Sequence, residues 1–449
     1  MKKILIANRG EIARRIIRTC SRLGIETVAV HSEADGDLPY VREATEAVLI
    51  GPNPVVQSYL QADKIIEEAK IHKADAIHPG YGLLSENADF ARKVTEAGLI
   101  FIGPKSEIIE KMGDKIESRK TMILAGVPVV PGTEEGVTTL EEAIAEAEAI
   151  GYPIMLKASA GGGGIGMVRC ENEQALSQQF ASVKNRAKAY FGDDVVFLEK
   201  FIDNARHIEV QIFGDHHGNV VHLFERNCSV QRRNQKVIEE SPSPHLPQSV
   251  REALCESALQ AARAVEYTNA GTVEFIVDEN NEFYFLEMNT RLQVEHPVTE
   301  EVTGFDLVEW QLNVAAGEKL PAQESIQSKG HAIEFRIYAE DPKTFFPSPG
   351  TLEKIEWGKD ARIESGYEEG NAVTPFYDPM ISKVIITGAD RTDALMKSQN
   401  FFNHATITGV KTNIPLFKEF IESEEFVSGE YATAALPKWM LKTKEEKTV

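Results

Sequence analysis

Thr272-Val273-Glu274-Phe275-Ile276-Val277 and Glu282-Phe283-Tyr284-Phe285-Leu286-Glu287-Met288 are two β-rich runs joined by Asp278-Glu279-Asn280-Asn281. Asparagine tolerates positive φ, so a two-residue turn at Asn280-Asn281 predicts an antiparallel hairpin. In that register Glu274 stands directly opposite Glu287, with side chains about 5 Å apart. Two facing carboxylates repel unless a cation separates them. Either one of the pair is solvated or matched by a nearby arginine, or a divalent ion bridges them as hard oxygen ligands, Mg²⁺ by type.

Beyond the hairpin, Glu287, Asn289, Arg291, Gln293 and Glu295 recur at period two, with Met288, Leu292 and Val294 on alternate positions. In an extended chain all five polar groups point one way. The row runs from ion ligands (Glu287, Asn289) to a forked donor (Arg291) to a candidate base (Glu295). That order suits a site where a metal-bound phosphate meets a small oxyanion. An exposed strand face is the plainer reading of the same row.

Upstream, Gln231-Arg232-Arg233-Asn234-Gln235-Lys236 is the strongest basic cluster of the second half. It reads either as a face paired to nearby Glu239 and Glu240 or as an anion cradle. Val196-Phe197-Leu198-Glu199-Lys200-Phe201-Ile202 is a strand that could turn alternate backbone groups toward an adenine edge, or an ordinary edge strand. Ala158-Ser159-Ala160-Gly161-Gly162-Gly163-Gly164-Ile165-Gly166 is a glycine loop between two strands, with no Lys-Ser/Thr after it, and so is not a P-loop. Such glycines let backbone N–H groups approach phosphate oxygens. Lys157, ending the apolar run Ile154-Met155-Leu156, points a cation into the loop's mouth, whereas Lys115 taken alone reads as a surface lysine.

The residues before the loop alternate Ile4-Leu5-Ile6-Ala7, a helical pattern from Ile12 to Leu23, Thr27-Val28-Ala29-Val30, Ala76-Ile77 and Leu99-Ile100-Phe101-Ile102. Strand–helix alternation of this kind predicts a parallel sheet with helices on its faces. Asn8-Arg9-Gly10-Glu11 lacks the three glycines of a dinucleotide fingerprint, which disfavours a plain dehydrogenase. A helix from 114 ending near Gly126 leads into Val127-Pro128-Val129-Val130-Pro131-Gly132, an extended connection to a second unit. There a helix at 139–150 and strands at 152–159, 167–170 and 195–201 form a small α+β unit. From 204 onward strands dominate, with helices at 250–266 and near 305–317. The charged tail Lys442–Val449 predicts a frayed end.

The chain has 449 residues, 48 Lys+Arg against 69 Asp+Glu for a net charge of −21, and a 42% hydrophobic fraction. That excess of acid argues against nucleic acid as a partner, so any anionic substrate must be held by local cation clusters. Four cysteines, none in CxxC or CxxH spacing, argue against a disulfide framework or structural zinc. The apolar start ends at Asn8-Arg9, and no run approaches the ~18 apolar residues of a spanning helix. The expected location is cytoplasmic, with no membrane partner.

The sequence resembles the biotin carboxylases of the ATP-grasp superfamily over nearly its full length. The resemblance rests on Lys3-Ile4-Leu5-Ile6-Ala7-Asn8-Arg9-Gly10-Glu11-Ile12-Ala13, His78-Pro79-Gly80-Tyr81-Gly82-Leu83-Leu84-Ser85-Glu86-Asn87, Phe101-Ile102-Gly103-Pro104, the glycine loop, Glu287 to Glu300, and Phe376-Tyr377-Asp378-Pro379-Met380. It implies an α/β and α+β fold in three parts. These are an N-terminal parallel-sheet domain (1–113), an ATP-grasp lid with the glycine loop (114–203) and a C-terminal mixed β domain (204–449). It also implies two stages of chemistry: bicarbonate attacks the γ-phosphate of ATP to give carboxyphosphate, and the CO₂ released is captured by N1 of biotin.

Carried onto matching positions, the resemblance implies ATP contacts from Lys115, Lys157, Gly161, Gly162, Gly163, Gly164, Gly166, His207, Gln231, Asn234 and Ile276, with Glu199, Lys200 and Ile202 around the adenine. Glu274, Glu287 and Asn289 would hold Mg²⁺, or Mn²⁺ in its place. Lys236, Arg291, Gln293 and Val294 would hold bicarbonate, Glu295 would be the base, Arg336 would stabilise the biotin enolate, and Tyr81 would line the biotin pocket. Two positions depart from the family pattern: Ile165 stands where a basic residue is usual, and Asn234 where a histidine is usual. No Ala-Met-Lys-Met-like attachment segment occurs, so the biotin carboxyl carrier protein and the carboxyltransferase subunits are expected on separate polypeptides. The first half-reaction of an acyl-CoA carboxylase, acetyl-CoA by expectation, and a homodimer follow from the same resemblance. The competing readings are another ATP-grasp ligase, which the Tyr81 segment and Arg336 disfavour, and a nucleotide-binding subunit of low activity.

Overall fold

The computed structural model describes residues 1–159, 167–192 and 194–446. Near the start, Glu46–Gly51, Glu26–Ser32, Lys3–Ile6, Ala76–His78 and Ile100–Phe101 lie side by side in that order, all parallel. Leu5, Ile6, Val28, Ala29 and Ile77 are fully buried, as strands covered on both faces require. The chain leaves the central strand to one side and returns on the other. A crevice therefore opens beyond the carboxyl ends of Lys3–Ile6 and Ala76–His78. Asn8 fills its floor, its Nδ2 donating to Pro79 O at 2.6 Å and to Tyr81 O at 2.8 Å. Gly80 has φ +63°, and a Cβ there would lie 2.8 Å from Asn8 Nδ2, so only glycine lets the Tyr81 segment close on Asn8.

Helix Lys115–Leu124 starts on Asp114, whose carboxylate accepts from Ile116 N at 2.9 Å and Glu117 N at 3.0 Å. The extended stretch after Gly126 does more than connect. Phe285 N donates to Pro128 O at 2.7 Å, while Thr133 N donates to Leu198 O at 2.9 Å and Val137 N to Val196 O at 2.7 Å. The small unit that follows is an antiparallel sheet ordered Met167–Cys170, Ile154–Ala158, Val196–Lys200, packed on helices Leu140–Ile150 and Glu173–Phe191 through Leu156, Leu176, Val183 and Leu198.

The third sheet is antiparallel throughout, in the order Phe283–Asn289, Asn269–Val277, Arg206–Gly214, Val220–Arg232, Gln235–Ser241, His331–Tyr338, Met380–Gly388, Arg362–Ser365. Apolar residues of its strands meet the C-terminal helices, where the Phe335 and Phe402 rings stand 4.8 Å apart edge to face. Helical structure reaches Glu446, further than the charge of the tail suggests, and residues 447–449 of the expected frayed end lie outside the described residues. Helix Ala435–Glu446 runs through Lys442, because Leu436 is buried and Trp439 packs 5.3 Å from the ring of Phe420.

The hairpin turn also differs from its expected form. Asp278 N donates to Glu282 O at 2.9 Å and Asn281 N to Asp278 O at 3.1 Å, with Asn281 at φ 65°, so the loop is Glu279-Asn280-Asn281. This shifts Phe275, Ile276 and Val277 one place, onto Phe285, Tyr284 and Phe283. An irregularity that leaves Leu286 as an extra residue then restores the pairing of Glu274 with Glu287.

Candidate active site

Direct register pairing sets Glu287, Glu274, Glu209 and Arg226 abreast across four adjacent strands. Lys236, from the next strand, reaches into this row. Its Nζ lies 2.5 Å from Glu209 Oε2, 2.7 Å from Glu274 Oε1 and 2.6 Å from Glu295 Oε1. Arg226 is fully buried and holds the other side of Glu209, its Nε donating to Oε1 at 2.6 Å, with Gln211, Thr299 and Thr272 taking its remaining donors. The basic cluster at 231–236 is thus a hairpin tip turning at Arg233 (φ 51°) and Asn234 (φ 64°). Its charges do not pair with Glu239 and Glu240: Arg232 pairs with Glu340, and Lys236 with the three glutamates.

Glu295 is fully buried between two cations, with Arg336 Nη2 3.0 Å from its Oε2. Burial alone would raise its pKa, but Lys236, Arg336 and Arg226 outweigh that and hold it well below the usual carboxylate range. Arg336 Nη2 also lies 2.6 Å from Glu239 Oε1. The regular strand ends at Asn289, so the five-residue polar row is strand only at its start. It still converges: Asn289 Nδ2 donates to Glu274 Oε1 at 2.9 Å, and Arg291 Nη2 to Asn289 Oδ1 at 3.1 Å. Arg291 Nε donates to Glu86 Oε2 at 2.8 Å, and Thr290 N to Glu86 Oε1 at 3.1 Å, which ties the row to the N-terminal unit. Lys383, fully buried, donates to Val294 O at 2.8 Å, and its Nζ is 5.9 Å from the centre of the Tyr81 ring. Gln293 Nε2, Arg336 Nε and Tyr81 Oη are buried donors with no hydrogen-bond partner among the described residues, which leaves them available to a polar ligand.

On the metal side, Glu274 carries the negative charge. Burial opposes ionisation, but Lys236 and His207, whose Nε2 is 2.9 Å from its Oε2, hold it below the usual range. Glu287 makes no hydrogen bond or ion pair among the described residues, and burial and Glu274 push its pKa up. Two adjacent carboxyls whose mutual field raises one of them, beside an amide oxygen, form a donor set that a hard divalent cation would satisfy.

The residues expected at a nucleotide fall on two sheets, Lys157, Glu199 and Lys200 on the small one and His207, Gln231 and Ile276 on the large one, with Lys115 at a helix start. Lys157 is buried and paired with Glu199, with Arg119 Nη1 3.3 Å from the other Glu199 oxygen. Lys115 is half-buried, not a surface lysine; burial lowers its pKa and Glu287 pulls it the other way. Gln231 bonds His207 at 3.0 Å, and Ile276 pairs with His207 in the register. One row of backbone groups on the strand Val196–Lys200 is already bonded within the protein. The carbonyls of Val196 and Leu198 and the amide of Lys200 are taken by the 131–137 stretch, and Lys200 Nζ caps the carbonyls of Gly151 (2.8 Å) and Tyr152 (3.1 Å). Ile202 lies just past that strand. Gly161, Gly162, Gly163, Gly164, Ile165 and Gly166 lie outside the described residues.

An open cleft of about 810 Å³ lined by Arg14, Arg18, Glu43 and Glu364 contains none of these groups. Its arginines are already matched: Arg14 with Glu43 and Arg18 with Glu364. Sequence reasoning passed over Glu209, Arg226, Glu239, Glu86 and Lys383. Only Glu209 carried a signal, because His207, Glu209 and Gln211 alternate with Ile208, Val210 and Ile212.

Comparison with known proteins gives three family matches along the chain. They are "Biotin carboxylase, N-terminal domain" at 1–109, "Carbamoyl-phosphate synthase L chain, ATP binding domain" at 114–323, and "Biotin carboxylase C-terminal domain" at 334–438. Biotin carboxylase 2 of Bacillus subtilis is 58% identical over 96% of this chain and 98% of its own. The mitochondrial methylcrotonoyl-CoA carboxylase subunit alpha of Rattus norvegicus is 51% identical over 97% of this chain and 62% of its own. The biotin carboxylase domain dimer of Hydrogenobacter thermophilus 2-oxoglutarate carboxylase, solved with MgADP, ADP and bicarbonate, superposes with a TM-score of 0.95 at 47% identity, covering 97% of each chain.

Proposed function

The chain belongs to the biotin carboxylases and is an ATP-dependent ligase that carboxylates biotin, and on that premise we propose how its own residues divide the reaction. The observation that carries the assignment is Glu295 fixed between Lys236 and Arg336, one cation toward the Glu274 row and one toward Glu239. Lys236, Arg291, Gln293 and Val294 hold bicarbonate, and Glu295 removes its proton. A carboxylate held so far below its usual pKa is a weak base. Bicarbonate bound beside it draws on the same ammonium and adds negative charge, and both raise its proton affinity. The deprotonated oxygen then attacks the γ-phosphorus of ATP, and the bond from that phosphorus to the β-phosphate oxygen breaks, giving carboxyphosphate and ADP.

Lys115, Lys157, His207, Gln231, Asn234, Ile276 and the glycine loop hold the nucleotide, with Glu199, Lys200 and Ile202 toward the base. Glu274, Glu287 and Asn289 would bind Mg²⁺, which supplies charge neutralisation on the phosphates when bound. Arg336 presents a planar donor to the ureido oxygen of biotin, with Tyr81 along the pocket wall. The parts divide at 1–113, 114–203 and 204–449.

The biotin is carried on a separate carrier protein, and an acyl-CoA, acetyl-CoA in first place, receives the carboxyl group from a partner carboxyltransferase. The protein acts as a homodimer, as the Hydrogenobacter thermophilus relative was solved. Four unpaired buried cysteines fit a reducing cytoplasm, and no helix among the described residues is long and apolar enough to cross a membrane. Incubation with MgATP, labelled bicarbonate and a biotinylated carrier domain tests the reading. ATP-dependent label on the carrier is expected, and ATP turnover without label on it contradicts the proposal.

A further inference from the structure

Arg336 is held by two carboxylates through one nitrogen: Nη2 lies 2.6 Å from Glu239 Oε1 and 3.0 Å from Glu295 Oε2. Glu239 is fully buried and lies on strand Gln235–Ser241, which also carries Lys236. Its cross-strand neighbour is Glu334, fully buried as well; neither carboxyl has a hydrogen-bond partner among the described residues, and of the two only Glu239 has an ion pair, with Arg336. Directly opposed buried carboxyls do not both stay charged. The groups facing Glu239 are Arg336 and Glu334 from the neighbouring strand, Glu295 from the 290–295 segment, and Lys236 from its own strand. Burial pushes Glu239 up to about 7 against the pull of Arg336 and pushes the Glu334 carboxyl well up, so the negative charge of the pair rests on Glu239, the carboxyl that Arg336 touches.

We propose that Glu239 is a positioning residue of the carboxylation site, the carboxylate that keeps the Arg336 guanidinium in place when Glu295 takes the bicarbonate proton and its pull on Arg336 weakens. The inference rests on the functional reading above. In that reading Glu295 is neutralised at the step that generates carboxyphosphate, before biotin reacts. At that moment Glu239 is the remaining charged group on the shared nitrogen. Without it, Arg336 loses the fixed geometry that a bound ureido oxygen requires.

Glu239→Gln and Glu334→Gln, compared with wild type in steady state with MgATP, bicarbonate and free biotin, test this. Glu239→Gln should lower biotin-dependent kcat by about tenfold or more and raise KM for biotin, with KM for MgATP within about twofold of wild type. Glu334→Gln, which keeps a neutral side chain of the same shape, should stay within about twofold on every parameter. Three results would overturn the proposal: wild-type biotin kinetics in Glu239→Gln, equal losses in both variants, or loss of nucleotide affinity in step with biotin turnover in Glu239→Gln. A wild-type enzyme without biotin-stimulated turnover would instead overturn the functional reading.

Discussion

Lys236 Nζ lies 2.6 Å from Glu295 Oε1, joining a hairpin tip to a segment 59 residues further along the chain. The same ammonium touches Glu209 and Glu274, so the candidate base, the candidate metal ligand and the arginine-backed Glu209 share one positive charge. An incoming anion therefore meets a cation whose partners are all fixed.

Lys236→Met removes that charge and leaves three buried carboxylates short of a donor. Arg226, His207 and Arg336 still compensate in part, so a stability loss of about 3 kcal/mol is expected, at the low end for a broken buried pair. Urea unfolding at constant slope measures it. Bicarbonate-dependent turnover should fall by more than about a hundredfold.

Arg291 spans Glu86 and Asn289 with different nitrogens of one planar group. A lysine cannot reproduce that fork. Arg291→Lys should raise KM for bicarbonate by about tenfold while KM for ATP stays near wild type. Bicarbonate saturation curves at fixed MgATP check this, and an unchanged KM would place Arg291 outside the anion site.

Gly132 lies against the strand that carries Glu199. A Cβ there would stand 2.4 Å from Leu198 O and 3.0 Å from Glu199 Cα. Gly132→Ala must push the 131–137 stretch off Val196–Lys200, at a cost of about 1–3 kcal/mol. Because Glu199 moves with it, nucleotide affinity should weaken several-fold in an ATP-binding titration.

Glu240, on the opposite side of its strand from Glu239, is fully buried. Burial would raise its pKa, but His331 at 2.5 Å and Arg391 at 2.8 Å hold it down to about 2 from the ordinary 4.5. A depressed folded-state pKa adds stability that is fully present above pH 4.5 and disappears as pH falls toward 2. That contribution is about 3 kcal/mol. In Glu240→Gln, stability against pH should flatten over that interval relative to wild type, as read by urea midpoints at successive pH values.

The pairing of Glu274 with Glu287 was legible because two departures from ideal geometry cancel. The turn is one residue longer than Asn280-Asn281, and Leu286 takes up the difference. The period-two row from Glu287 to Glu295 is extended strand only as far as Asn289; Glu295, at φ −80° and ψ 10°, stands at a helix start and meets the others through Lys236 rather than through alternation. Strand–helix alternation exposed the parallel N-terminal sheet. The roles of Glu239, Glu86 and Lys383 were not legible, since no local spacing ties any of them to the site. These residues acquire a role only when register places Glu239 beside Arg336, Thr290 and Arg291 beside Glu86, and Val294 beside Lys383. That the carbonyls of Val196 and Leu198 and the amide of Lys200 are taken within the protein was not legible either, because a non-adjacent stretch covers that edge.

The most direct test of the account is phosphate release from MgATP and bicarbonate, with and without free biotin, alongside capture of labelled carboxybiotin, in wild type and Glu295→Gln. The account predicts biotin-stimulated release with carboxybiotin formed by the wild type, and loss of both in Glu295→Gln with nucleotide binding retained. Biotin-dependent carboxylation that persists in Glu295→Gln would contradict it.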